Sequence, residues 1–149
     1  MHNHCNVTYG HGDLSDALAA AEQQLDFVSV TPHAMWPDIP GENDPRLNWV
    51  IGYHTAAFRR LRAGGYEKYR QMIEAANRPG SFLTFVSYEC HSMEHGDHVA
   101  LFRDFDVPLV ECTSVPDLKE KLRGYACYVT PHHMGYQTGF RGYNWAAFP

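Results

Sequence analysis

The sequence predicts an α/β fold: a partial, distorted β/α barrel, built mostly from parallel strands and truncated at both ends. Three observations lead there. Short β-branched and aromatic runs alternate with stretches of helical periodicity, the pattern of parallel β/α units. The chain has 149 residues, whereas a complete parallel barrel takes about 250. Only residues 1–5 precede the first helix to serve as a strand, and no helix follows the last strand. The expectation is a single domain over residues 1–149 that starts inside a first strand and stops after a fifth.

The elements follow in order. Leu14, Ala17, Leu18, Ala21 and Leu25 recur at helical spacing, with Asp13 or Ser15 as the N-cap. Residues 26–31 (DFVSVT) read as a buried strand. Residues 32–45 hold Pro32, Pro37, Pro40 and Pro45 and read as a loop. A long helix is expected over 47–76, kinked at Gly64-Gly65 and closed by Asn77-Arg78-Pro79-Gly80. Strands follow at 81–88 (SFLTFVSY), 98–102 (HVALF) and 125–130 (YACYVT), with a short helix at 115–123 opened by Pro116.

Composition excludes several classes. Apolar residues are 44% and aromatics 13%, too rich for a disordered chain. No apolar run reaches the roughly 18 residues of a membrane span. MHNHCNVTYG lacks the basic and apolar regions of a signal peptide. The net charge of −5 disfavours nucleic acid as a partner, because neutralising phosphates needs a basic surface. Four widely spaced cysteines make no C-x-x-C pair and read as reduced thiols of a cytoplasmic protein. There is no phosphate-binding G-x-x-x-x-G-K, no G-x-G-x-x-G and no G-x-S-x-G.

The ten histidines carry the functional signal. In parallel β/α folds the strand C-termini share one rim, where active sites gather. His2 and His4 are two apart, which puts both imidazoles on one face of an extended segment. His33 follows the strand at 26–31, Glu89 ends the strand at 81–88 with His91 two residues on, and His132 and His133 follow the strand at 125–130. His98 opens a strand, and His11 lies before the first helix. Neutral imidazoles with a carboxylate are the donor set of zinc, iron and manganese sites. His91 and His133 read either as ligands or as partners that orient one. His54, on the long helix, and His95, in a loop, read as incidental. Cys5 and Cys90 alternate away from the ligand face. Arg141 reads either as a contact for a substrate anion or as solvated surface.

The ordered set HNHCNVTYGHGDLSDAL, LDFVSVTPH, SYE, GDHVALF and VTPHH resembles the polymerase and histidinol phosphatase (PHP) superfamily, in a branch described only as a domain of unknown function. The resemblance covers nearly the whole chain. It implies a distorted (β/α)7 barrel holding two or three divalent metals (Zn, Mn or Fe). By resemblance, His2 and His4 bind one metal and Glu89 bridges it to a second, which His98 and His132 complete; His11 and His33 hold a third. The chain departs from the family at Pro32, where many members carry Asp, and it ends before the family's final Asp-x-His.

The function expected is that of a metal-dependent hydrolase, foremost a phosphoesterase, in which hydroxide held between cations attacks phosphorus. Glu89 and His33 are the expected catalytic residues, and Arg141 and His133 the substrate contacts. The expected partner is a small phosphorylated substrate or another hydrolysable ester. An open barrel edge would also favour self-association. The competing class is a non-catalytic metal-binding or structural barrel fragment.

Overall fold

The structure is a computed structural model that describes residues 2–41 and 44–147. Its elements in chain order are α1 (Leu14–Glu22), β1 (Phe27–Val28), β2 (His33–Met35), α2 (Asn48–Arg60), α3 (Tyr66–Ala76), β3 (Leu83–Thr84), β4 (Val86–Cys90), β5 (His98–Phe102), α4 (Val115–Lys121) and β6 (Cys127–Pro131). Leu14 and Leu18 bury one stripe of α1. Ile51, His54, Ala57 and Phe58 do so for α2, and Tyr66, Tyr69 and Ile73 for α3. The expected kink is a single π-helical turn, Leu61–Gly65, relieved by Gly64 at φ 96°. Ser114 caps α4, its hydroxyl accepting from the Asp117 amide at 3.2 Å. No helix among the described residues is long and apolar enough to cross a membrane.

The predicted barrel of mostly parallel strands is not formed. β1 and β3 make a two-stranded parallel sheet, and β2-β4-β5-β6 make an open four-stranded sheet. In the larger sheet only β2 and β4 run parallel; β4, β5 and β6 form an antiparallel meander. Chain length explains the reversal at β5. Residues 91–97 alone join β4 to β5, whereas a parallel crossover needs a dozen or more residues. Two further expectations shift. The strand predicted over 81–88 is divided at Phe85 between the two sheets, and β2 lies in the stretch predicted as loop after Pro32. Residues 2–5, expected as the first strand, have no strand structure; the Asn3 carbonyl accepts from the Thr31 amide at 2.8 Å.

Register decides which side chains meet. His33 pairs with Glu89, and Glu89 with Val99, which in turn pairs with Thr130. His91 and His132 lie two residues beyond Glu89 and Thr130, so all project from one face. All five residues of β4 are buried between β2 and β5. The main core lies around Tyr69, Ile73, Phe82, Tyr88, Phe102 and Leu118.

Tyr69 ties β4 to the chain beyond β1. Its buried hydroxyl donates to the Val30 carbonyl at 2.7 Å and accepts from the Ser87 amide at 2.9 Å. Tyr69→Phe leaves that amide without a partner in the core, so unfolding in urea is expected to show a loss of about 1–3 kcal/mol. An unchanged midpoint would mean that packing alone joins these segments.

Candidate metal centre

Glu89 is fully buried. Its nearest nitrogens are His33 Nδ1 at 3.2 Å, His91 Nδ1 at 3.4 Å, and the Nε2 atoms of His2 and His4, both at 3.7 Å. Neither carboxylate oxygen accepts an aligned hydrogen bond, and neither ring nitrogen of His2 has a partner. Burial, reinforced by the charge of Asp97, pushes the Glu89 carboxyl well above its ordinary value, although Arg141 opposes the rise. Buried polar atoms without partners are costly and rare. Here they face one another, as ligands do around an ion.

Glu89 is common to three of the groups whose donor atoms all lie within 4.8 Å of one another. One is His2, His4 and Glu89; another is Glu89, His132 and His133; a third is Glu89, His91 and Asp97. A fourth group is purely imidazole: His33, His54 and His91. These buried His, Glu and Asp groups could hold a metal ion. The histidine rings pack closely: His2 lies 4.0 Å from His132 and His4 lies 3.9 Å from His33. The segment carrying His2 and His4 is hooked in place at Thr31, whose carbonyl lies 2.7 Å from His4 Nδ1.

Asp97 braces this centre. Its carboxylate accepts from the Ser92 amide at 3.1 Å, from His91 Nδ1 at 3.0 Å, and from Arg141 Nε and Nη2 at 2.9 and 2.6 Å. Burial alone would push the Asp97 carboxyl up, but His91 and Arg141 outweigh it and hold it well below the ordinary range. Its backbone carbonyl accepts from the His132 amide at 2.7 Å. Asp97 thereby links the β4–β5 connection to the end of β6.

The predicted site residues fall into two sets. His2, His4, His33, Glu89, His132 and His133 come together, and His91 joins them as the partner of Asp97. His98 and His11 do not. His98 pairs in register with Cys90 and Pro131, one residue out of phase with Glu89, so it leaves the sheet on the opposite face. Its Nδ1 donates to the Gly96 carbonyl at 2.8 Å. His11 is exposed in the bend before α1. The Arg141 guanidinium is turned inward onto Asp97 and lies 5.3 Å from the Trp36 ring, committed to the scaffold of the centre. Cys90 faces away, as alternation predicts, with its sulfur 3.8 Å from that of Cys112.

Three contributors escaped the sequence reading. His54 is fully buried and its Nε2 meets the Tyr9 hydroxyl at 3.1 Å. Its signal was a polar residue within the apolar stripe Ile51, Ala57 and Phe58. Tyr9 stacks on His33 at 4.0 Å. Asp97 stood in the motif GDHVALF, beside a histidine that drew the attention.

Burial holds the histidines neutral. It pushes His54 down to about 3 and His98 down to about 4. It also pushes His2 to about 3 and His133 to about 4, with neighbouring histidines adding to the effect. A folded-state value below the unfolded one means that the unfolded chain binds more protons. Stability from these groups is therefore present above about pH 6.5 and lost as pH falls towards 4, at about 1.4 kcal/mol per pH unit for each proton. Glu89, raised, works with the opposite sign, but one group faces several. Thermal melts of the metal-free chain are expected to show a steep drop in Tm between pH 6.5 and 4. A flat profile would mean that the imidazoles are not held neutral.

No family model matches the chain, and no curated protein matches it.

Proposed function

We propose that this chain is a metal-dependent hydrolase acting on a phosphoester, in keeping with its sequence resemblance to the PHP superfamily. One observation carries the reading: a fully buried carboxylate, Glu89, without aligned hydrogen bonds, shared between the His2–His4 pair and the His132–His133 pair. A carboxylate so placed would hold two cations together with the His2–His4 and His132–His133 pairs, whose imidazoles would complete the coordination without adding charge.

Charge favours an anionic substrate. Asp97 is matched by Arg141 at 2.6 Å, which leaves Glu89 as the one anion set against two dications. A centre with net positive charge attracts a phosphate ester over a neutral amide. Divalent cations supply Lewis acidity there, polarising the phosphoryl oxygen and making water a stronger acid. The chain's own residues do the rest. Glu89 fixes the spacing of the two ligand pairs. Neutral His2, His4, His132 and His133 offer lone pairs without prior deprotonation. Asp97 and Arg141 hold the two loops rigid, so ligand geometry is set before substrate arrives.

Elemental analysis of the purified chain, with an aryl phosphate screen under Mn2+ or Zn2+, tests the reading. Two bound cations with metal-dependent phosphate release are expected. Two bound cations with no turnover on any ester would favour a non-catalytic metal-binding module. Absence of tight cation binding would overturn both.

A further inference from the structure

We propose that His33, His54 and His91, with the Tyr9 hydroxyl at their meeting point, form a separate all-imidazole site for a zinc-like transition-metal dication beside the Glu89 centre. It is a third site, and it does not rest on the hydrolase reading.

The first argument is the orientation of the rings. A metal-binding histidine ordinarily donates its other ring N–H to a carboxylate or a backbone carbonyl, which fixes the tautomer and aims the free lone pair at the ion. His54 Nδ1 donates to the Val50 carbonyl one turn earlier in α2, at 2.9 Å, leaving Nε2 as the lone pair. His91 Nδ1 lies 3.0 Å from Asp97 Oδ2 and 2.9 Å from Arg141 Nη2; in the tautomer that donates to Asp97, Nε2 is again the lone pair. That Nε2 lies 3.0 Å from His33 Nδ1. The Tyr9 hydroxyl stands 3.1 Å from His54 Nε2 and 3.3 Å from His33 Nδ1. Three nitrogens and one oxygen thus converge from the N-terminal loop, β2, α2 and the end of β4.

The second argument is burial. His33, His54 and His91 are 3%, 0% and 0% exposed. His54 occupies a position in the apolar stripe of α2 where an aliphatic side chain would pack at no polar cost. Without a cation the four atoms close on one another: His33 Nδ1 meets His91 Nε2 at 3.0 Å and the Tyr9 hydroxyl donates to His54 Nε2 at 3.1 Å. The donor atoms of the three histidines lie within 4.8 Å of one another. Nitrogens bound at about 2.0–2.1 Å to one tetrahedral zinc stand about 3.3–3.4 Å apart, so only a small inward movement is needed.

Ligand chemistry separates the two centres. Three neutral imidazoles suit zinc, copper, nickel and cobalt, whereas manganese prefers carboxylate and other oxygen donors. The Glu89 centre is built around a carboxylate, whereas the histidine site draws its three nitrogens from imidazole. Asp97 stands behind it as a counter-charge, 3.0 Å from His91 Nδ1, and Glu89 Oε2 borders it, 3.2 Å from His33 Nδ1.

The test is stoichiometry by equilibrium dialysis of the metal-free chain, with Co2+ absorption as a report on coordination. Zn2+ and Co2+ are expected to saturate with one equivalent more than Mn2+. His54→Gln is expected to remove that extra equivalent and its tetrahedral Co2+ bands, leaving Mn2+ binding unchanged. His132→Gln is expected to do the converse, sparing those bands and weakening Mn2+. Equal stoichiometry for Zn2+ and Mn2+ in the unaltered chain overturns the proposal even if His54→Gln does not fold. Full Zn2+ stoichiometry in a folded His54→Gln variant also overturns it. Either failure leaves Mn2+ binding at the Glu89 centre, and so the hydrolase reading, standing.

Discussion

Glu89→Gln is expected to weaken divalent cation binding at the shared centre by at least about 100-fold, since even residues that only orient a ligand are worth 10–100-fold. Metal-dependent hydrolysis should fall further, because both cations lose their common anion. The same substitution removes a buried carboxyl with no aligned partner and leaves a neutral isostere, so the metal-free fold should lose little stability or gain some. The readout is the shift in Tm on adding Mn2+. A ligand at 100 times its Kd stabilises by about 2.7 kcal/mol, and Glu89→Gln should abolish that shift without lowering the baseline Tm. His95→Ala, outside all four ligand groups, should keep the shift. Equal losses in the two variants would remove Glu89 from the centre.

Asp97→Asn is expected to cost about 3–5 kcal/mol, the scale for breaking a buried ion pair and leaving one charge uncompensated. The stranded charge is Arg141, whose side chain is 13% exposed and whose Nε and Nη2 both donate to Asp97 Oδ2. The carboxamide oxygen still serves the Ser92 amide at the Oδ1 position, but His91, like Arg141, faces Oδ2 and loses its acceptor. Arg141→Met in the same chain should recover part of the loss, because it removes the orphaned cation. A double-mutant cycle in urea measures the coupling. Additive losses would show that the pair contributes no coupling of its own.

Most of the residues that converge on Glu89 were legible in the sequence because β periodicity is local. The spacing of His2 from His4 and of Glu89 from His91 announces shared faces whatever the topology. Strand direction was the point of failure, and the clue was present. The stretch between Glu89 and His98 is too short for a crossover, yet the alternation of helices and strands elsewhere suggested parallel units throughout. His98 entered the ligand set by resemblance, although it opens its strand. Once β5 is antiparallel, register with Cys90 sends its ring to the far face. His54 was passed over for a different reason. Its position on α2 is set by tertiary packing against β2, which no local pattern encodes, and a lone histidine on a helix is usually incidental. Arg141 illustrates the same limit. Its residue type suits an anion, but its target depends on how the loop at 137–142 folds back onto Asp97.

The weak attachment of residues 2–5 has a consequence for how the centre assembles. Glu89, His91 and Asp97 all come from one hairpin, β4–β5, whose contacts are local in sequence and carry a small loop-closure cost. His2 and His4 arrive by docking of a segment without strand structure, hooked at Thr31. One part of the candidate ligand set is therefore built in as soon as the sheet forms, whereas His2 and His4 are placed only when their segment docks at Thr31 beside the buried Cys5. Segments with so few backbone bonds open at far lower free energy than the core. The order of assembly then follows from sequence distance: the Glu89 side is laid down by a local hairpin, and the His2–His4 side closes over it from a segment more than eighty residues away.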